Sequence, residues 1–316
     1  MKIFLILCVV PWLLAAQTVE EGNAEFQGGH ISRAKEIFEA VLKKDDKNAE
    51  AHYRLGLIEL RRSFRDEDEA VDHMERAVEL KPDNANYQYG YGAALGTKAQ
   101  HAGVIKQAFL APKVKKAFLR AVELDPKLVE ARIGLAQYYL QAPSIMGGDE
   151  EMGWKEIDTV IAQDEYRGRV TKAGILARDK KVEQAEQQLD ILSSKYPGDW
   201  RVWNSICGFY LRQKKVTEAL SASQKCVTLR PDTALSYRNL GQAQLQKGEY
   251  DAALGSLQKA LNMDKDDLVA TYYLAKTYEA KGMKKEARES YQRVLELDPW
   301  EGLRKEVEKN LKDLST

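Results

Sequence analysis

The sequence predicts an all-α solenoid: about eight stacked helix hairpins followed by a C-terminal capping helix. Three observations predict it. Ala185, Ala219, Ala253 and Ala287 fall at one constant interval, and Pro197, Pro231 and Pro299 keep the same register with Lys265 at the missing beat. A constant period of roughly 34 residues marks a repeat architecture. Leu189, Leu257 and Tyr291 each follow one of those alanines by one helical turn. A hairpin needs this pairing, with a small residue where two helix backbones approach and a large apolar one a turn away to fill the seam. Finally, charged residues make up 30% of the chain and only eight prolines interrupt its 316 residues, which suits long helices with wet outer faces.

Around the alanines the motif becomes specific. Trp203-x2-Ile206-Cys207-x2-Tyr210, Tyr237-x2-Leu240-Gly241 and Leu274-Ala275-x2-Tyr278 stand where the tetratricopeptide family carries W-x2-L-G-x2-Y. The chain resembles that family along most of its length. The resemblance implies a right-handed superhelical solenoid in which the first helix of each hairpin lines a concave groove. It implies no particular activity, because members of one architecture bind unrelated partners. A solenoid grows by adding repeats that touch only their neighbours, so one continuous array over residues 17–299 is expected, capped by 300–316.

The amino terminus departs from this pattern. Lys2 precedes an apolar run from Ile3 to Ala16, which is too short to span a bilayer and suits a secretory core ending in small residues. A signal peptide over residues 1–16, cut after Ala16, is expected, and with it an exported chain in the periplasm or outside the cell. Cys8 follows Leu5-Ile6-Leu7 and not the small residues of a lipoprotein signal. Export would permit a disulfide between Cys207 and Cys226, but both occupy small-residue sites of one repeat and are expected as core thiols.

The first repeat runs through Gly22, with Gly28-Gly29 as its turn, to Ala34 and Phe38. The second carries Leu55-Gly56, Ala70, Met74 and Ala77, with two extra residues in the charged turn from Arg65 to Glu69. The third delays its second-helix landmarks, Phe118, Ala121 and Pro126, by about three helical turns. The insertion near 97–112 is rich in Ala, Lys and Gln, which favours a longer helix or a short extra one. The fourth repeat carries a second insertion near 142–149. There Pro143 ends a helix, Gly147-Gly148 permit left-handed backbone, and Ile145 and Met146 are expected to pack onto the neighbouring hairpin. Tyr139-Leu140-Gln141-Ala142-Pro143 with Met146-Gly147-Gly148 resembles a subgroup of exported bacterial tetratricopeptide proteins. After Pro299, the positions Trp300, Leu303, Val307, Leu311 and Leu314 line one face of the last helix.

No catalytic, metal or cofactor constellation is present. His30, His52, His73 and His101 fall in separate helices or turns without ligand spacing, and there is neither a phosphate loop nor a nucleophile elbow. The chain is expected not to be an enzyme. Its 48 basic and 48 acidic residues leave no global field to draw in nucleic acid, and a mean hydropathy of −0.50 excludes an integral membrane protein. What remains is a surface. The groove positions implied by the family are Tyr53, Tyr89, Ile133, Val170, Asn204, Arg238 and Tyr272, followed a turn later by Gln137, Gln242 and Lys276. Tyrosine supplies apolar area with a hydrogen bond, and the amides and cations can hold a peptide backbone or a carboxylate. The family's carboxylate clamp is only approximated by Arg238 and Gln242. The expected function is an exported scaffold that binds a protein or peptide partner in the groove. The alternative is a binder of glycan or another envelope component through the groove aromatics.

Overall fold

A computed structural model describes residues 18–61, 66–297 and 299–314. The signal-peptide run and Cys8 lie outside them, as does the start of the charged turn before Asp66. Among the described residues there are seventeen α-helices and no strand. Eight antiparallel hairpins follow one another: α1 (Val19–Gln27) with α2 (Ile31–Lys44), α3 (Ala49–Glu59) with α4 (Glu67–Leu80), α5 (Ala85–His101) with α6 (Val104–Leu124), α7 (Val129–Gln141) with α8 (Glu150–Gln163), α9 (Glu165–Arg178) with α10 (Val182–Lys195), α11 (Trp200–Gln213) with α12 (Val216–Leu229), α13 (Ala234–Lys247) with α14 (Tyr250–Met263), and α15 (Leu268–Ala280) with α16 (Lys284–Glu296). The last helix is α17 (Glu301–Asp313). Among the described residues, contacts group the chain into two compact units, one up to Ala117 and one from Phe118 onward.

Each regular hairpin closes at the same place. Ala34, Ala70, Ala185, Ala219, Ala253 and Ala287 are fully buried, and each sits in the first turn of its helix. Opposite them the first helix carries a glycine or another small residue against the side chain one turn on, which is large in every case but α12, where Ser223 stands. A Cβ added to Gly22 would stand 2.6 Å from Phe38, one added to Gly56 2.7 Å from Met74, and one added to Gly241 2.6 Å from Leu257. Those large side chains are themselves buried, so nothing can yield. Where the first helix has Ala275 in this place, the opposing Tyr291 is fully buried and its hydroxyl donates to Glu279 at 2.6 Å. Cys207 fills the same site and Cys226 a small site on α12. Both are buried free thiols, and burial pushes the pKa of each up to about 12. They act as small core residues.

Helix starts are set locally. Thr18 caps α1 in a reciprocal pair with Glu21, and Asn48, Asn84, Asp149, Asp164, Asp199 and Asp267 each accept from an amide of the first turn. The tight turn inside the hairpin needs left-handed backbone, supplied by Gly29, Gly248 and Gly282. In the same register Lys180 and Lys214 adopt positive φ, 62° and 57°, although they carry a Cβ.

Both insertions take definite form. Gly96–Pro112 forms no separate element; it lengthens α5 to 17 residues and α6 to 21. In regular repeats the small site lies in the first turn of the second helix, whereas in α6 the equivalent position, Val114, comes almost three turns after the start at Val104. Two turns are thus added at its beginning. In the second insertion Pro143 leads into a 3-10 turn at Ser144–Met146, and Gly147 follows at φ 89°. Gly148 lies so close to the Ala142 carbonyl that a Cβ would be 1.8 Å from its oxygen. The corner is tied back by the Tyr138 hydroxyl donating to the Met146 carbonyl and by Asp149 N–H to Tyr139 O at 2.9 Å. One expectation is corrected here. Ile145 is 94% exposed and does not pack onto the neighbouring hairpin, because these bonds close the corner without it.

Lys214→Gly is expected to raise stability by about 1 kcal/mol, since glycine meets no Cβ clash in this left-handed turn. A urea midpoint at or below that of wild type would refute strain at this turn.

Candidate functional site

Among the described residues no three His, Cys, Asp or Glu side chains converge as metal ligands. The histidines are nevertheless not all separate, as their spacing implied. His52 on α3 and His73 on α4 face each other with Nδ1 to Nδ1 at 2.9 Å, and His52 Nε2 lies 3.0 Å from the Asp46 carbonyl. The arrangement is satisfied when His52 donates to that carbonyl and His73 donates to His52, both rings neutral. Burial, followed by repulsion from His52, pushes the pKa of His73 down to about 4. It is a packing device inside one hairpin.

The candidate surface is the outward side of the first helices, and in the second unit it is a polar lattice. Arg238 on α13 donates to both carboxylate oxygens of Asp267, at 3.1 and 3.0 Å. The Asp267 carboxylate is only 6% exposed and also caps α15 through the Ala270 amide. Asn239 Nδ2 donates to Asn204 Oδ1 at 2.7 Å, joining α13 to α11. Tyr166 on α9 bonds Ser205 on α11 at 2.9 Å and donates to the Arg201 carbonyl at 3.2 Å. Gln242 bonds the hydroxyl of Tyr273. Tyr272 donates to Glu306 on α17 at 2.5 Å. Lys276 is half-buried, 3.9 Å from Glu279. Ile133 on α7 is half-buried and Gln137 exposed.

In the first unit Tyr53 and Tyr89 are both half-buried, on α3 and α5. The Tyr53 ring lies 4.8 Å from that of Tyr87, and its edge comes within 2.8 Å of where a Cβ on Gly90 would stand. Arg54 stacks over Phe26 at 5.6 Å, and Asn23 donates to Glu50 at 2.9 Å, tying α1 to α3.

The positions named from sequence therefore occupy the first helices, but several are bonded between repeats. Arg238 in particular is held by Asp267. Sequence reasoning missed Asp267, Asn239, Tyr166 and Tyr273. A signal for one existed: Asp199, Thr233 and Asp267 recur on the repeat period directly before a helix, the position of an N-cap. Their cross-repeat partners follow from stacking and have no local signature.

Two outcomes test this account. Arg238→Ala leaves a buried carboxylate without its cation and should lower stability by roughly 1.5–3 kcal/mol in urea denaturation. Arg238→Lys should recover only part of the loss, because an ammonium cannot replace the two-pronged fork. Separately, the unfolded His73 takes up a proton near 6.5 and the folded one only near 4. Its contribution is complete above pH 6.5, declines as pH falls through that window and is flat below about 4. The part-exposed ring limits the loss to on the order of 1 kcal/mol. Comparing urea midpoints of wild type and His73→Gln from neutral pH down to the folded pKa isolates it.

Sequence models of the tetratricopeptide repeat match residues 19–85, 201–266 and 244–300. The chain is 27% identical over 284 residues to tetratricopeptide repeat protein 37 of Xenopus laevis, covering 87% of this chain and 17% of the relative. It is 24% identical over 261 residues to superkiller complex protein 3 of Mus musculus, covering 80% and 16%. The chain thus spans about a sixth of these relatives' length. Among solved structures it is similar to yeast Tom70, with TM-score 0.68 and 14% identity over 94% of this chain and 60% of that one. The hairpins, their constant period and these matches agree: the chain carries tetratricopeptide repeats in the helix-hairpin fold that defines them.

Proposed function

We propose that the chain is a non-catalytic scaffold that holds an extended segment of a protein partner along the outward face of α9, α11, α13 and α15. One observation carries this reading. Val170, Asn204, Arg238 and Tyr272 recur at the same place in successive repeats and are all part-exposed. One turn later Gly174, Gly208, Gln242 and Lys276 keep the same period, and the two glycines leave space beside amide and cationic groups. Beyond the apolar start at Val170, the amides of Asn204 and Gln242 and the cation of Lys276, set at the repeat period on α11, α13 and α15, suit the repeating amides and carbonyls of an extended peptide. The cross-repeat bonds of Asn204, Arg238 and Gln242 hold the row rigid before any partner arrives, which lowers the entropy cost of binding. The tetratricopeptide architecture and a relative named as a complex component favour a protein partner.

The test is selection of displayed peptides on the folded chain. Selected peptides should bind wild type and lose roughly five-fold or more in affinity on Gln242→Ala combined with Asn204→Ala. Failure to select any peptide, together with a thermal shift from cell-wall glycan, would replace this reading with the glycan one.

The scaffold is proposed to act after export, on the composition of Ile3–Ala16. Intact mass of the exported product should correspond to a chain that begins after Ala16. A product that begins at Met1 would refute the cleavage.

A further inference from the structure

We infer that the tip of the α5–α6 hairpin is a docking site for an anionic lipid surface. The two added turns of α6 carry the most concentrated exposed apolar surface among the described residues: Val104 is 70% exposed, Ile105 78% and Phe109 75%. Ile105, Phe109 and Pro112 follow at helical spacing, so they form one stripe. It lies opposite the face of α6 that buries Ala111, Val114 and Ala117. The missing N–H of Pro112 leaves the Ala108 carbonyl to solvent, which an exposed face tolerates.

Charge selects the occupant. No Asp or Glu occurs between Asp83 and Glu123, while Lys98, Lys106, Lys113, Lys115, Lys116 and Arg120 do, in a chain whose net charge is zero. The nearest acidic groups described, on the first turn of α4, are paired with the last turn of α5 beside the tip: Asp68 meets Lys98 at 2.5 Å, with Lys106 also near it, and Glu67 meets His101 at 2.7 Å. Lys106, Lys113 and Lys116 stand exposed along α6 beside the apolar stripe. An apolar stripe edged by lysines is the pattern of a helix that lies in a bilayer interface, its side chains among acyl chains and its cations at anionic headgroups.

Other occupants fit less well. Two copies would bring two basic tips together and repel. A protein partner needs about 800 Å² on each side for a standard interface, and three side chains on a projecting tip offer roughly a few hundred. The stripe also presents no side-chain donor or acceptor that would orient a structured partner, whereas a fluid apolar phase needs none.

The test is co-sedimentation of the chain from Gln17 onward, the product proposed above, with phosphatidylcholine vesicles, with and without about one third phosphatidylserine. Wild type should bind the anionic vesicles, weakly or not at all the neutral ones, and less at high salt. Ile105→Glu with Phe109→Glu should lower the bound fraction roughly ten-fold, and Lys106→Glu with Lys113→Glu should remove the preference for anionic lipid. Ile145→Glu, at a still more exposed side chain on another corner, should change nothing. Every protein, wild type included, lacks Ile3–Ala16, so that apolar run contributes nothing to sedimentation and differences between variants report the tip. Helical signal and thermal midpoint confirm that the variants fold, as expected for side chains so exposed. Absence of wild-type binding, binding unchanged by Ile105→Glu with Phe109→Glu, or a wild-type dimer that those substitutions dissociate would each overturn the inference.

Discussion

The structure depends on one steric constraint, the close crossing inside each hairpin. In most of the regular hairpins a glycine or alanine on the first helix receives a large side chain from the second, with a buried alanine one turn earlier on that second helix; in the hairpin of Cys207 the buried Ser223 stands in the large place. Gly241 against Leu257 shows how tight the fit is, since a single added methyl group would fall 2.6 Å from a carbon of a fully buried side chain. Because helices have fixed rise and pitch, setting this crossing sets the register of everything else in the repeat. The N-caps at Asp199 and Asp267 and the left-handed turn residues from Lys180 to Gly282 all keep the same beat.

The turn residues show how strong the constraint is. At Lys180 and Lys214 the chain adopts a backbone conformation that lysine disfavours, because the crossing on either side leaves the connecting residues no other path. Where the constraint lapses, apolar residues become exposed. Ahead of Val114 the extra turns of α6 have no small-to-large seam to enter, and Ile105 and Phe109 meet solvent. At the Pro143–Gly148 corner, hydrogen bonds to the backbone close the chain and Ile145 is left outside. Regular repeats bury their apolar residues through the period, and the insertions are where that period is broken.

Between repeats the balance is different. The faces of the first helices meet through polar groups, such as Arg238 with Asp267 and Asn239 with Asn204, and each bond spans two repeats. Such bonds hold neighbouring helices at a defined spacing and make the surface rigid. They also remove Arg238 from the set of groups free to meet a carboxylate. The same residue type at the same place in the repeat can thus build the scaffold or read a partner, and its neighbour in the next repeat decides which.

The helices, the hairpin order, the crossing residues and the capping face of Leu303 and Val307 were legible in the sequence, because each follows from local periodicity and volume over a few turns. The outward positions on the first helices were legible for the same reason. Their partners were not. Whether Arg238 meets solvent or Asp267, whether His52 and His73 touch, and whether Ile145 packs depend on how residues on different helices, or held in an irregular corner, come together. A repeating pattern encodes what each helix buries. Pairing of polar groups across stacked helices is a property of distances between side-chain ends, and only the tertiary structure sets those.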